Sequence, residues 1–198
     1  MKGKISIVLT GVGGQGVITA AKMLGDAAVK AGVSVYVSEI HGMAQRGGDV
    51  VCTVRMGAVE SPMLPMGTAD ALVSTEPVEA LRNVMYVHAK TKLVTDTNPT
   101  IPFTVAAGGE PYPKLEVILK ELASFAQVYP VDAIALAKQA GAVITKNIVL
   151  LGALSAVDVL PFSPEVLLQA ILDDVPPKYQ EFNKRAFEAG RQAVSKKK

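Results

Sequence analysis

The stretch Ile5–Gly16, "ISIVLTGVGGQG", constrains the fold more than any other part of this chain. A short apolar, β-branched run ends at Gly11, and further glycines follow at 13, 14 and 16. From Val17 the apolar residues Val17, Ala21, Leu24, Ala28 and Ala31 recur at helical spacing, and Gly32 supplies a stop. A strand that turns sharply into a helix with one apolar stripe must bury that stripe against a sheet, which points to layered α/β architecture. "VSVYVS", Val33 to Ser38, alternates as a second strand. The expectation is a strand–helix–strand unit with a right-handed parallel crossover. Lys22 and Asp26, four residues apart, fall on another helix face.

The same punctuation continues downstream. "VVCTVRM" (50–56), "ADALVST" (69–75), "TKLVTDT" (91–97) and "AQVYPV" (126–131) read as strands. Pro77 suits the first turn of a helix through Leu81, "KLEVILKELASF" returns to helical spacing, and "DAIALAKQAG" is a helix stopped by Gly141. Asn98 to Pro113 holds four prolines and two adjacent glycines and reads as an irregular excursion. Helices are expected over 147–157, 163–172, with Ser163 as cap and Pro164 in the first turn, and 178–193. With 198 residues and no internal repeat, the chain reads as a single domain, 1–198, with a helical C-terminal segment 146–195.

Composition removes several function classes. The net charge of +2 favours neither nucleic acid nor an anionic membrane surface, and Lys196–Lys198 reads as a solvated tail. One cysteine, Cys52, excludes an intramolecular disulfide framework and any iron–sulfur cluster held by this chain's thiolates alone. On a strand, Cys52 reads as a small buried hydrophobe. The two histidines, His41 and His88, have no partners at metal-ligand spacing, so no metal site is expected. The run Ile5–Leu9 is too short for a signal-peptide core, and Ile148–Val157 stops at Asp158, short of a bilayer span. The expected compartment is cytoplasmic, with no membrane association.

Gly11, Gly13 and Gly16 form G-x-G-x-x-G at a strand-to-helix turn. Glycines permit the sharp turn, and the helix N-terminus offers N–H donors to an anion. With Glu39 near the end of the second strand, where a ribose-binding acid would sit, a Rossmann-like open, mainly parallel sheet with flanking helices is the expected fold. A stand-alone NAD(P)- or flavin-binding oxidoreductase is one reading of it. Against it stand Gly14 and Gln15 inside the turn, and the dense polar loop that Glu39 opens. The bland alternative is close helix–strand packing alone.

That loop, "SEIHGMAQRGGDV" (38–50), crowds Glu39, His41, Arg46, Gly47 and Gly48 into one connection. Arg46 offers a forked donor set for phosphate or carboxylate, and the two glycines allow close backbone approach. Equally, Glu39 and Arg46 pair with each other, His41 caps a carbonyl, and Gln15 bonds a partner's backbone. No residue is assigned as catalytic. Glu76, Asp70 and Arg82 read as caps and solvated charges. Met56, Met63 and Met66 read either as an adaptable contact surface or as core.

"GVGGQGV", "SEIHGMAQRGGDVVCTVRMG" and "SPMLPMGTADALVSTEPVEALR", with the later "NIVLLGAL" and "EFNKRAFEAG", resemble the small, gamma-type subunit of 2-oxoacid:ferredoxin oxidoreductases. "HGMAQRGG" is similar to the indolepyruvate ferredoxin oxidoreductase branch, to its beta subunit. The resemblance covers nearly the whole chain. It implies oxidative decarboxylation of a 2-oxoacid, with an aryl pyruvate expected, to an acyl-CoA, carbon dioxide and reduced ferredoxin. It implies thiamine diphosphate with magnesium, and iron–sulfur clusters, on a large partner subunit, coenzyme A as co-substrate, and ferredoxin reached through the complex. Since this chain lacks a cysteine set and a GDG-type segment, the expectation is a non-autonomous subunit. On this reading Gly11, Gly13, Gly14, Gln15, Gly16, Glu39, His41, Arg46, Gly47 and Gly48 face the large subunit and a coenzyme A phosphate or an acidic partner group.

Overall fold

The computed structural model describes residues 3–42, 47–101 and 111–195. Six strands form one sheet: β1 (Lys4–Val12), β2 (Val35–His41), β3 (Asp49–Gly57), β4 (Ala71–Ser74), β5 (Lys92–Asp96) and β6 (Gln127–Val131). Among the described residues seven α-helices accompany them: α1 (Val17–Lys30), α2 (Pro77–Arg82), α3 (Leu115–Phe125), α4 (Ala133–Ala140), α5 (Lys146–Ser155), α6 (Pro164–Asp174) and α7 (Pro177–Ser195).

The strand order is β2-β3-β1-β4-β5-β6. β1, β4, β5 and β6 pair in parallel, whereas β3 is antiparallel to both β1 and β2. Five strands therefore run one way and β3 alone runs the other. The expected α/β, mainly parallel sheet with flanking helices and a helical C-terminal third is present.

The strand–helix–strand unit is present, with one strand inserted between its two strands. β1 and β2 run in the same direction across α1, but they are not neighbours, because β3 lies between them. Residues 42–48 are too few for the dozen or more that a parallel crossover needs, so β3 returns antiparallel to β2. β3 is buried on both faces while β2, carrying Ser38, Glu39 and His41, is mostly exposed. The two-sided apolar strand takes the interior and the half-polar strand takes the edge.

Alternation along β1 places Ile5, Ile7 and Leu9 against the larger core with α1, α5, α6 and α7. Val8 points the other way, to a smaller core under α2 and α3. Helix α1 closes with a Schellman turn: Val33 N–H donates to Ala28 O, Gly32 N–H to Val29 O, and Gly32 has φ 69°. Gly141, at φ 104°, caps α4 as expected. Ser163 does precede Pro164 at the start of α6, but its side chain makes no capping hydrogen bond. Helix α5 is buried all round and crosses α7 at two glycines. A Cβ on Gly152 would sit 2.0 Å from Phe187 O, and one on Gly190 would sit 1.9 Å from Val149 O. The helices touch backbone to backbone.

The methionine alternatives separate. Met56 is fully buried, whereas Met63 and Met66 are exposed. Cys52 is buried, as expected for a small hydrophobe. Lys22 pairs with Asp26 at 2.8 Å and also reaches Asp174 at 2.7 Å, tying α1 to α6.

Candidate functional site

The carboxyl ends of the parallel strands and the start of β3 lie on one edge of the sheet. Open α/β sheets bind ligands at that edge. The two glycine loops meet there. Gly13 N–H donates to Gly48 O at 2.7 Å, and Gly47 N–H donates to Gly13 O at 3.2 Å. Residues 34 and 35 positions apart are thus joined by a backbone clasp, with Gly14, Gly16 and Gly47 all at positive φ.

Gln15 is the centre of the turn. Its Oε1 accepts from Val12 N–H at 2.9 Å and from the Thr75 hydroxyl. Its Nε2 donates to Thr100 Oγ1 at 2.7 Å, and its carbonyl accepts from Asn147 Nδ2 at 2.6 Å. The side chain ties the end of β1 to the segments that follow β4 and β5, and the Gln15 carbonyl adds the start of α5 to this knot, so these bonds are internal to this chain. Gly11 is required by that knot, since a Cβ there would lie 1.9 Å from Thr75 Oγ1.

A buried acidic layer supports the knot. Glu76 is fully buried: Oε2 caps α2 by accepting from Glu79 N–H at 2.9 Å, and Oε1 accepts from the Tyr112 hydroxyl and from Thr100 N–H. It is a cap, as expected, but not a solvated one. At the opposite edge of the sheet, half-buried Asp70 accepts from Ser6 N–H at 2.8 Å. Burial holds the Glu79 carboxyl above its ordinary range, with Arg82 at 2.9 Å pulling the other way. Asp96, also fully buried, accepts from Asn98 and from Ala133 N–H, and Lys146 Nζ stands 3.7 Å from its Oδ2. Burial pushes the Cys52 thiol up to about 11, which suppresses the thiolate and with it any nucleophilic role at neutral pH.

Of the remaining sequence candidates, Glu39 and His41 stand exposed on edge strand β2, with His41 Nε2 4.0 Å from Glu39 Oε1. His41 Nδ1 lies 3.1 Å from Gly42 O, the carbonyl cap anticipated for it. Arg46 lies outside the described residues. Because β3 separates β2 from β1, Glu39 sits two strand spacings from the glycine turn, roughly 10 Å instead of the 5 Å of adjacent strands. The Gly13 N–H is moreover already committed to Gly48 O. Both observations argue against a dinucleotide reading.

Beside the glycine turn a groove of about 750 Å³ opens between α1, the α4–α5 connection and the start of α7. Met23, Ile144, Ile148, Tyr179, Phe182 and Asn147 are among its walls.

The sequence profile of the family described as pyruvate ferredoxin/flavodoxin oxidoreductase matches residues 6–193. The chain belongs to this family. A Thermococcus kodakarensis protein named indolepyruvate oxidoreductase subunit IorB is 44% identical to it over 192 residues, covering 96% of this chain and 95% of its own length. The crystal structure of the keto/oxoacid ferredoxin oxidoreductase gamma subunit from Geobacter sulfurreducens superposes with a TM-score of 0.70 at 25% identity, covering 96% of this chain and 98% of the other. A 2-oxoglutarate:ferredoxin oxidoreductase from Magnetococcus marinus, solved with 2-oxoglutarate, coenzyme A and succinyl-CoA bound, shares the fold at a TM-score of 0.74 and 22% identity. It contains this chain's fold as 32% of a longer polypeptide and covers 99% of this chain. The resemblance to gamma-type subunits of 2-oxoacid:ferredoxin oxidoreductases is borne out.

Among the described residues of this pyruvate ferredoxin/flavodoxin oxidoreductase family member, no donor set fits the magnesium ion or the iron–sulfur clusters that the resemblance implies. Its one thiol is buried in the main core, and among the described residues no three His, Cys, Asp or Glu side chains gather as metal ligands. No described helix is long and apolar enough to cross a membrane. Thr75, Thr100, Lys146 and Asn147 escaped sequence reading. Lys146 and Asn147 carried a faint signal, two polar residues immediately before the apolar run Ile148–Leu151.

Proposed function

We propose that this chain is the small subunit of an indolepyruvate-type 2-oxoacid:ferredoxin oxidoreductase. It performs no redox step itself. Its glycine-loop edge docks on a large subunit that carries thiamine diphosphate, magnesium and iron–sulfur clusters and passes electrons to ferredoxin in the cytoplasm. The same edge contributes to holding coenzyme A. Gly11, Gly13, Gly14, Gln15 and Gly16 shape the surface, Gly47 and Gly48 brace it, and Arg46, with Glu39 and His41 beside it, supplies polar recognition. The observation carrying this reading is the Gly13–Gly47/Gly48 clasp, beside Gln15 at the ligand edge of a sheet whose own chain has a single cysteine.

Anaerobic reconstitution tests it. Alone, the chain should be colourless and should reduce neither ferredoxin nor a viologen dye with indolepyruvate and coenzyme A. With its large subunit it should support coenzyme A-dependent turnover. Arg46→Lys removes a planar donor fork and should raise the KM for coenzyme A or weaken subunit association about ten- to hundredfold, at an unchanged melting temperature. Turnover by this chain alone refutes the proposal.

A further inference from the structure

Strand β2 is a lateral edge of the sheet: it pairs with β3 on one side, and among the described residues no strand pairs with the other. The two lateral edges are defended differently. β6, the opposite edge, has five residues and includes Pro130, which has no N–H to offer a further strand. β2 has seven residues, Val35–His41, with no proline, glycine or lysine among them. Its register against β3 runs without a bulge from Val35↔Met56 to His41↔Val50. A long edge with neither bulge nor basic gatekeeper is a template for another strand. It is also apolar where water should meet it: Tyr36 is 42% exposed, Val37 46% and Ile40 57%.

The ladder fixes which backbone groups are on offer. Gly57 N–H donates to Ser34 O and Gly42 N–H to Asp49 O, so the even-numbered residues of this segment bond to β3. The N–H and C=O groups of Val35, Val37, Glu39 and His41 therefore point outward. Tyr36, Ser38 and Ile40 share the face of the smaller core, since Ile40 pairs with Val51 of that core. A partner strand has to match both sets. β2 itself does so, antiparallel, about a two-fold axis at Ser38. Val35 then meets His41 and Val37 meets Glu39 as hydrogen-bonded pairs, which uses every outward residue. Tyr36 falls opposite Ile40 on both sides of the axis, at non-hydrogen-bonded positions where side chains approach most closely. An axis at Val37 instead sets Tyr36 against Ser38 and carries His41 past the end of the partner strand. An axis at Glu39 sets two carboxylates opposite each other.

We propose that this chain pairs with a second copy of itself through β2, antiparallel and centred on Ser38, so that two six-stranded sheets become one. The contact uses a different edge from the Gly13–Gly47/Gly48 clasp and does not depend on the function proposed above.

Cysteine cross-linking of the full chain reads both the partner and the register. Cys52 is buried, so a cysteine introduced on β2 reports without background. Ser38→Cys should give a covalent dimer on oxidation with diamide, whereas Val37→Cys and Glu39→Cys should not. In sedimentation the wild-type chain should be a dimer. Ile40→Lys interrupts both Tyr36–Ile40 contacts at an exposed position and should weaken the dimer about tenfold, while Val117→Lys, exposed on α3, should leave it intact. A chain that remains a monomer up to its solubility limit overturns the inference, as does cross-linking through Val37→Cys or Glu39→Cys but not Ser38→Cys. So does a monomer whose outward β2 amides are protected from exchange only when the large subunit is added, because the large subunit then covers the edge.

Discussion

Replacing Gln15 by leucine tests whether the glycine turn is held by its side chain. Leucine keeps the approximate volume but removes the acceptor that serves Val12 N–H and Thr75 Oγ1. Thr75 has a fallback, because its hydroxyl already lies 3.5 Å from Thr10 O. Val12 has none: its residue is 4% exposed, and its N–H would be stranded next to an apolar side chain. An unmet buried donor costs about 1–3 kcal/mol, and the lost contact to Thr100, lying at the surface, adds only about 0.5 kcal/mol. The expected loss is about 2–3 kcal/mol, and for a domain of this size about 5–10 °C in Tm. Far-UV circular dichroism melts measure the loss, and amide exchange at Val12 and Gly13 locates it. Gln15→Glu retains an oxygen for Val12 and Thr75, and its second oxygen can accept from the Thr100 hydroxyl, so it should lose less than the leucine variant. A Tm within ~2 °C of wild type for Gln15→Leu, with unchanged protection at Val12, would show that the Gly13–Gly47/Gly48 clasp holds the turn without Gln15 and would refute this reasoning.

Gly152→Ala should cost about 2 kcal/mol in chemical denaturation, because overpacking against an immovable backbone carbonyl outweighs alanine's gain of about 1 kcal/mol in helix propensity. Adding Gly190→Ala should cost less than its own single effect, since both separate the same pair of helices. Cys52, with its thiol pushed up to about 11, should resist thiol reagents at pH 8 in the folded chain and react only in denaturant. For Glu79 burial holds the folded carboxyl above the ordinary carboxylate range, so as pH rises through that range the unfolded chain ionises first and wild type loses stability relative to Glu79→Gln. Urea denaturation of both proteins at pH 4 and pH 7 should show the variant gaining ground at the higher pH, and an equal difference at both would refute the assignment.

Local signals determined much of this protein. Apolar period and glycine stops located β1, α1, β3 and the C-terminal helices, because each depends on contacts within a few residues and on left-handed backbone at Gly32 and Gly141. The wider family was legible in the glycine turn and the polar loop, and the single cysteine already excluded a redox centre held by this chain's thiolates. Strand order was not legible, since alternation tells which residues of β2 and β3 share a face but not which strand β1 takes as neighbour. That choice came from the burial of β3 on both faces and the short return through residues 42–48. The site's supporting residues were equally hidden. Thr75, Thr100 and Asn147 lie 60, 85 and 132 positions from Gln15, and only closure of the parallel sheet brings their polar atoms to one edge, where Gln15 has to satisfy them together.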